Sequence, residues 1–277
     1  MLEVESVVAP GCYDCLSAAV QERAGFGALF LSGAGVAASA AGLPDLGLLS
    51  FEELAHTARN VVNRARVPLI VDGDTGFGNE LSVYRTVEEL GQLGVAAVMI
   101  EDQTSPKRCG HLEGKDVIAT HDYARKIAAA HKAAAGSGIR VIARTDALAV
   151  NGLDDAIERA IAAREAGADI TFVEAMRSMD ELAVVAERVP GFKMYALSGG
   201  HSPSPSFTEL AALGYRLLVI PGAALVPAIQ SMRATAEAMF ASGTNEAVES
   251  HGMIPRDIFE TVGLDQWLEL AAHLGGA

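Results

Sequence analysis

Several carboxylates in this chain stand where apolar runs end. Asp72 and Asp74 close one run in "VDGDTGFGN", Glu101 and Asp102 close the next in "MIEDQ", Asp146 follows Arg144 in "ARTDA", and Glu174 sits in "FVEA". Brought together and buried, that much negative charge is prohibitive unless something compensates it. Oxygen donors without a matching set of His and Cys suit a hard divalent cation, Mg²⁺ or Mn²⁺. A second chemical feature lies just downstream, in "IEDQTSPKRCGHLEGK", where Cys109 is flanked by Lys107, Arg108 and His111. Nearby positive charge favours a thiolate. Such a cysteine serves as nucleophile, as base or, once protonated, as general acid. Lys107 and Arg108 are suited to clamping a substrate carboxylate.

Those groups must be positioned by the runs they terminate. Apolar segments begin at Ser6, Gly27, Val67, Ala96, Arg140, Asp169, Lys193 and Arg216. Runs apolar on both faces suit parallel strands covered by helices. Helical spacing recurs between them over Leu81–Leu93, Thr120–Ala135, Leu153–Ala166 and Met179–Val189, with Asn151 as a start signal and Gly167 as a stop. Eight β-then-α units without a linker predict a single (β/α)8 TIM barrel spanning 1–277, with a doubly wound open sheet as the alternative. In a closed barrel the run ends share one mouth. From about 222 the chain reads as a C-terminal helical extension, whose apolar last segment is expected to pack on a partner subunit or to close the barrel bottom.

Other signals are weaker. "GFGNE" after the aspartates lacks the Gly-Lys-Ser/Thr ending of a phosphate loop, so its glycines are read as allowing close backbone approach to substrate. Cys12 and Cys15 form a C-x-x-C spacing, but no second Cys/His pair completes a zinc site, and they are read as small residues at a helix start.

The formal net charge of −14 excludes nucleic acid or an anionic membrane as the expected partner, since both need a basic face. A small anionic substrate remains compatible, because a few local cations dominate inside a cleft. Half the residues are hydrophobic and mean hydropathy is +0.26, enough for a large core. Three cysteines and no long apolar segment predict a cytoplasmic protein.

The quoted motifs, together with "SGAGVAASAAGLPDLGLLS", resemble the isocitrate lyase/phosphoenolpyruvate mutase superfamily from Val8 to about Pro221. The nearest group is that of 2-methylisocitrate lyase, dimethylmalate lyase and carboxyphosphonoenolpyruvate mutase. The resemblance implies a Mg²⁺-dependent barrel enzyme acting on α-hydroxy or α-oxo carboxylates, in a homotetramer whose subunits exchange the C-terminal helix. It implies Asp72 as direct metal ligand, with Asp45, Asp74 and Glu101 reaching the ion through water. Ser32, Gly33 and Ala34 would bind the α-carboxylate, and Arg144 the substrate oxygens. Cys109, on a loop closing over substrate, would protonate the carbanion released by C–C cleavage. Lys107 and His111 join Cys109 and Arg144 as expected catalytic residues; Arg108, Gly110 and Glu174 join the expected substrate contacts. Oxaloacetate-type C–C hydrolysis or decarboxylation and P–C mutase or hydrolase chemistry are the alternatives, with a non-catalytic binding barrel behind them, and Cys109 favours C–C lyase chemistry.

One segment departs from the resemblance. Where relatives carry "NMxEGGxTP", this chain reads "YALSGGHSPSP", with Tyr195, Ser198 and Ser202 in place of Asn, Glu and Thr. Tyr195 and His201 are therefore expected in a rebuilt wall that selects the substrate's tail.

Overall fold

The computed structural model describes residues 2–200 and 202–275. Eight parallel strands close into a barrel in sequence order, β1 pairing with β8. The first half runs β1 (Val7–Cys12), α1 (Cys15–Arg23), β2 (Leu29–Leu31), α2 (Gly33–Val36), α3 (Phe51–Val62), β3 (Leu69–Asp72), α4 (Glu80–Gln92) and β4 (Ala97–Glu101). There follow α5 (Thr120–Ala134), β5 (Arg140–Thr145), α6 (Ala147–Val150), α7 (Leu153–Glu165), β6 (Ile170–Val173), α8 (Met179–Arg188), β7 (Phe192–Ala196), α9 (Phe207–Ala212) and β8 (Tyr215–Ile220). The extension comprises α10 (Leu225–Ser242), α11 (Glu246–Glu249), α12 (Pro255–Thr261) and α13 (Leu264–His273). A single π-helical turn, Ala37–Ala41, follows α2.

Strand residues alternate between two cores, as the two-residue period of a strand requires. Ala28, Phe30, Ile70, Ala97, Met99, Ile142, Ile170, Phe172, Met194, Ala196, Leu217 and Val219 fill the barrel interior. Leu29, Leu31, Val71, Val98, Ile100, Val141 and Ala143 face outward, against the apolar stripes of α3, α4 and α5. Several helices start where the sequence supplies caps. Ser50 and Glu53 form a capping box before α3, as Ser206 and Glu209 do before α9. Such a cap is worth about 1 kcal/mol. Helix α7 begins differently from expectation: Gly152, at φ +96°, precedes it, while Asn151 ends α6 and donates from Nδ2 to Asp155 Oδ2 at 2.7 Å.

The extension does not close the barrel bottom. That end holds a cavity of about 730 Å³ lined by Leu2, Val7, Ile70, Phe192 and Leu217. Helices α12 and α13 instead lie on the flank beside α1 and the end of α3, where Arg64 stacks 5.4 Å from the Trp267 ring centroid. Helix α10 buries no residue, and Met232 and Phe240 are exposed on it. Among the described residues no helix is long and apolar enough to cross a membrane.

Candidate active site

Inward parity carries the chemistry to the mouth. The interior series Ile70, Ala97–Met99, Ile142 and Ile170–Phe172 continues at two-residue steps into Asp72, Glu101, Arg144 and Glu174. A cavity of about 70 Å³ at this end is lined by Ser32, Ala34, Asp45, Asp72, Cys109, Gly110, His111, Arg144 and Glu174. Phe30, Met99, Phe172, Met194, Ala196 and Pro221 supply its apolar wall.

The acidic side of the cavity is undercompensated. Glu101 is 1% exposed and neither carboxylate oxygen has a hydrogen-bond partner. Burial pushes its carboxyl well above the usual range, against the pull of Arg144, whose Nη1 stands 3.3 Å from Oε2. Asp74 adopts φ +48°, and its N–H donates to Asp72 Oδ1 at 3.2 Å. Burial pushes the Asp74 carboxyl up to about 6, although Lys107 opposes the shift. Lys107 Nζ lies 2.5 Å from Asp45 Oδ1 and 2.7 Å from Asp74 Oδ1. Burial acts to lower its pKa, but Asp74, Glu101, Asp72 and Asp45 together hold it above the usual lysine value. The β2 end closes in on these carboxylates: a Cβ on Gly33 would lie 3.3 Å from Asp74 Oδ1 and 3.4 Å from Asp72 Oδ2.

Asp45, Asp72, Asp74 and Glu101 thus present four carboxylates to one lysine and a shared arginine. The two orphaned oxygens of Glu101 and the all-oxygen donor set fit a hard divalent cation. Among the described residues no group of three His, Cys, Asp or Glu side chains is already gathered as a cage. The Lys107 ammonium stands between Asp45 and Asp74.

Arg144 is the hub of the opposite side. It forks onto Asp146 through Nε and Nη2, at 2.8 and 3.0 Å, and its Nη2 lies 3.4 Å from Glu174 Oε2. Asp102 sits behind this pair, not in the cavity. It accepts from Thr145 Oγ1 at 2.6 Å and from the Asp146 N–H at 2.8 Å, and burial pushes its carboxyl up to about 6.

The cysteine loop covers the mouth. An antiparallel bridge between Gln103 and Val117 ties its base, and the Gln103 amide bonds both the N–H and the carbonyl of Arg108. The Cys109 N–H donates to the Asp45 carbonyl at 3.1 Å. Gly110 lies on the Arg144–Glu174 pair so closely that a Cβ there would come within 2.5 Å of Arg144 Nη2 and 2.7 Å of Glu174 Cγ. His111 Nε2 is 3.7 Å from Glu174 Oε1, beyond hydrogen-bond reach.

Four expectations need correction. Cys109 is not surrounded by free positive charge: Lys107 is committed to Asp45 and Asp74, and burial pushes the thiol up, so the protonated form is favoured. Arg108 turns to solvent, its guanidinium on the Glu113 carbonyl at 3.3 Å, and does not line the cavity. Lys107, likewise, is held by carboxylates rather than free to clamp one. Tyr195 points outward, packs edge-on against Tyr215 at 5.8 Å between ring centroids, and donates to the Pro203 carbonyl at 2.6 Å. Met194, Ala196 and Ser198 line the cavity in its place. His201 lies outside the described residues. Two residues escaped the sequence reading in their structural role, Lys115 and Asp146, joined at 2.8 Å. The signal for them was a lone lysine ending the loop opposite a carboxylate two residues beyond Arg144.

A closed parallel barrel whose strand ends converge carboxylates, an arginine and a cysteine-bearing lid defines a (β/α)8-barrel enzyme. Residues 2–240 match the family described as "Phosphoenolpyruvate phosphomutase". The chain is 41% identical over 227 residues to 2,3-dimethylmalate lyase of Eubacterium barkeri, covering 82% of this chain and 78% of that one. It is 42% identical over 275 residues to the chloroplastic carboxyvinyl-carboxyphosphonate phosphorylmutase of Arabidopsis thaliana, covering 96% and 80%. A crystal structure of 2,3-dimethylmalate lyase superposes with TM-score 0.95 at 40% identity, over 100% of this chain and 93% of that one. The chain belongs to the phosphoenolpyruvate mutase/isocitrate lyase superfamily.

Proposed function

We propose that this enzyme is a Mg²⁺-dependent lyase that cleaves a C–C bond in a 2-hydroxy carboxylate, giving an α-oxo acid and a second carboxylate. The observation that carries this reading is Cys109: a half-buried thiol, kept protonated by burial, over a cavity floored by Arg144 and a carboxylate cluster. Asp72, Asp74, Asp45 and Glu101 would hold the ion, with Mn²⁺ as a substitute. When bound, Mg²⁺ offsets charge developing on the substrate's hydroxyl and carboxylate oxygens.

The chain's own groups do the rest. Ser32, Gly33 and Ala34 receive the α-carboxylate at the end of β2. Arg144, oriented by its fork onto Asp146, presents its remaining donor edge to substrate oxygen. The substrate's 2-hydroxyl gives its proton to a carboxylate of the Asp45, Asp72, Asp74 and Glu101 cluster as its C–O bond becomes C=O, and the C–C bond breaks with its electron pair left on the carbon beside the departing carboxylate. The Cys109 S–H delivers a proton to that carbon, and the hydroxyl's proton returns to the thiolate through solvent when products leave. Gly110 and His111 close the roof and exclude water. Met194, Ala196 and Ser198 form the wall that meets the substrate's tail.

The proposal includes an assembly of four copies, supported by the uncovered apolar side chains of α10 to α13, and a cytoplasmic location, supported by three unpaired cysteines.

The test is an assay of purified protein with Mg²⁺ against small 2-hydroxy di- and tricarboxylates, reading α-oxo acid. Chelator-sensitive release is expected. Turnover of oxaloacetate to oxalate and acetate alone, or of phosphonopyruvate alone, would overturn the lyase reading.

A further inference from the structure

Lys115, at the end of the cysteine loop, is a cation with a buried side chain to which the mechanism gives no task. The Lys115 side chain is 3% exposed and that of its partner Asp146 is 0%. On a loop whose neighbouring Leu112, Glu113 and Gly114 are all exposed, a buried ammonium is unexpected. Its Nζ donates to Asp146 Oδ1 at 2.8 Å and to the carbonyl of Gly110.

Those two acceptors belong to different parts of the molecule. Asp146 is fixed to the barrel, since it accepts both guanidinium bonds of Arg144 and its own N–H donates to Asp102. Gly110 is the tip of the loop over the cavity. The Cys109–Gly110 peptide is therefore held from two sides, its N-terminal residue's N–H by the Asp45 carbonyl and its C-terminal residue's carbonyl by Lys115. Beneath it, the clearance against Arg144 and Glu174 leaves no room for even a methyl group.

We propose that Lys115 is a positioning residue, a latch that ties the lid tip to the end of β5 and fixes Cys109 over the cavity. It touches neither substrate nor ion; it acts through the Gly110 carbonyl. The value of that placement for proton delivery rests on the lyase reading above, but the latch itself does not.

The experiment uses the full-length chain and needs no substrate. Alkylation of Cys109 and Cys12 by iodoacetamide is followed by peptide mass spectrometry in the wild type and in Lys115→Met. The expected result is a rise of about tenfold or more in the Cys109 rate, with the fully buried Cys12 as slow as before. An unchanged Cys109 rate, or an equal rise at Cys12 that marks general loosening, would overturn the latch. With an active substrate in hand, kcat of Lys115→Met should fall about tenfold with KM little changed. Faster Cys109 alkylation in a protein without lyase turnover would sink the functional reading and leave the latch standing.

Discussion

Glu101 and Arg144 are register partners on adjacent strands, yet Arg144 gives its closest bonds to Asp146 and stands 3.3 Å from a Glu101 oxygen that has no hydrogen-bond partner. A carboxylate beside a cation already bound elsewhere is a place where added positive charge is stabilising.

Mg²⁺ should therefore raise the unfolding temperature, and the gain should depend on pH. Asp74 titrates near 6 in the fold against an ordinary 3.8, so its contribution to metal-free stability is present below about 3.8 and lost as pH rises past about 6. Over the same window the cluster gains the charge that binds a cation. At free Mg²⁺ about 100 times its dissociation constant the stabilisation is about 2.7 kcal/mol. Thermal melts with and without Mg²⁺ should show the increment at pH 7.5 and lose it by pH 5. A pH-independent increment would mean the ion binds elsewhere.

Cys109→Ser should reduce turnover by about 10²-fold or more, as loss of a general acid does. The Mg²⁺-induced rise in melting temperature should be unaffected, and stability should change by less than about 0.5 kcal/mol. In the wild type, alkylation at pH 8 should be slower than that of a free thiol, because burial raises the Cys109 pKa. Faster reaction would contradict the protonated state assigned to it.

Gly110→Ala should impair activity far more than its size suggests, since the new methyl meets Arg144 and Glu174. Forcing that contact costs about 1–3 kcal/mol, which is relieved by lifting the lid. Gly136→Ala, with nothing within 4 Å of the new carbon, is the control and should stay within about 0.5 kcal/mol of wild type.

Tyr195→Phe should act on stability, not selectivity. It removes the bond to the Pro203 carbonyl, worth about 1 kcal/mol, and leaves KM within about twofold for every substrate turned over. Ala196→Val, on the cavity wall, should instead shift preference toward shorter tails. A large KM effect at Tyr195 with none at Ala196 would reverse the assignment of the wall.

The barrel was legible because each strand is a short apolar run, several of the helices between them, such as α4, α5 and α8, are amphipathic, and chain order coincides with order around the barrel. The strand-end carboxylates were legible for the same reason. Orientation was harder. Tyr195 was expected in the wall because it replaces a polar residue in a motif, but parity counted along β7 from Met194 sends it outward. A register shift between Lys193 and Met194 makes that count uncertain from the sequence. The Cys109 environment was misread because one-dimensional spacing counts Lys107 and Arg108 as neighbours of the thiol. In three dimensions one is neutralised by Asp45 and Asp74, and the other faces water.

The Asp45 carbonyl accepts the Cys109 N–H, and the Asp45 carboxylate holds Lys107 two residues earlier on the same lid. The 42–49 loop and the lid are thus joined at two points and should open as one body, which would give passage in and out a single gate. If that gate is slower than bond cleavage, solvent viscosity sets the pace of turnover and isotopic substitution at the scissile carbon leaves it unchanged.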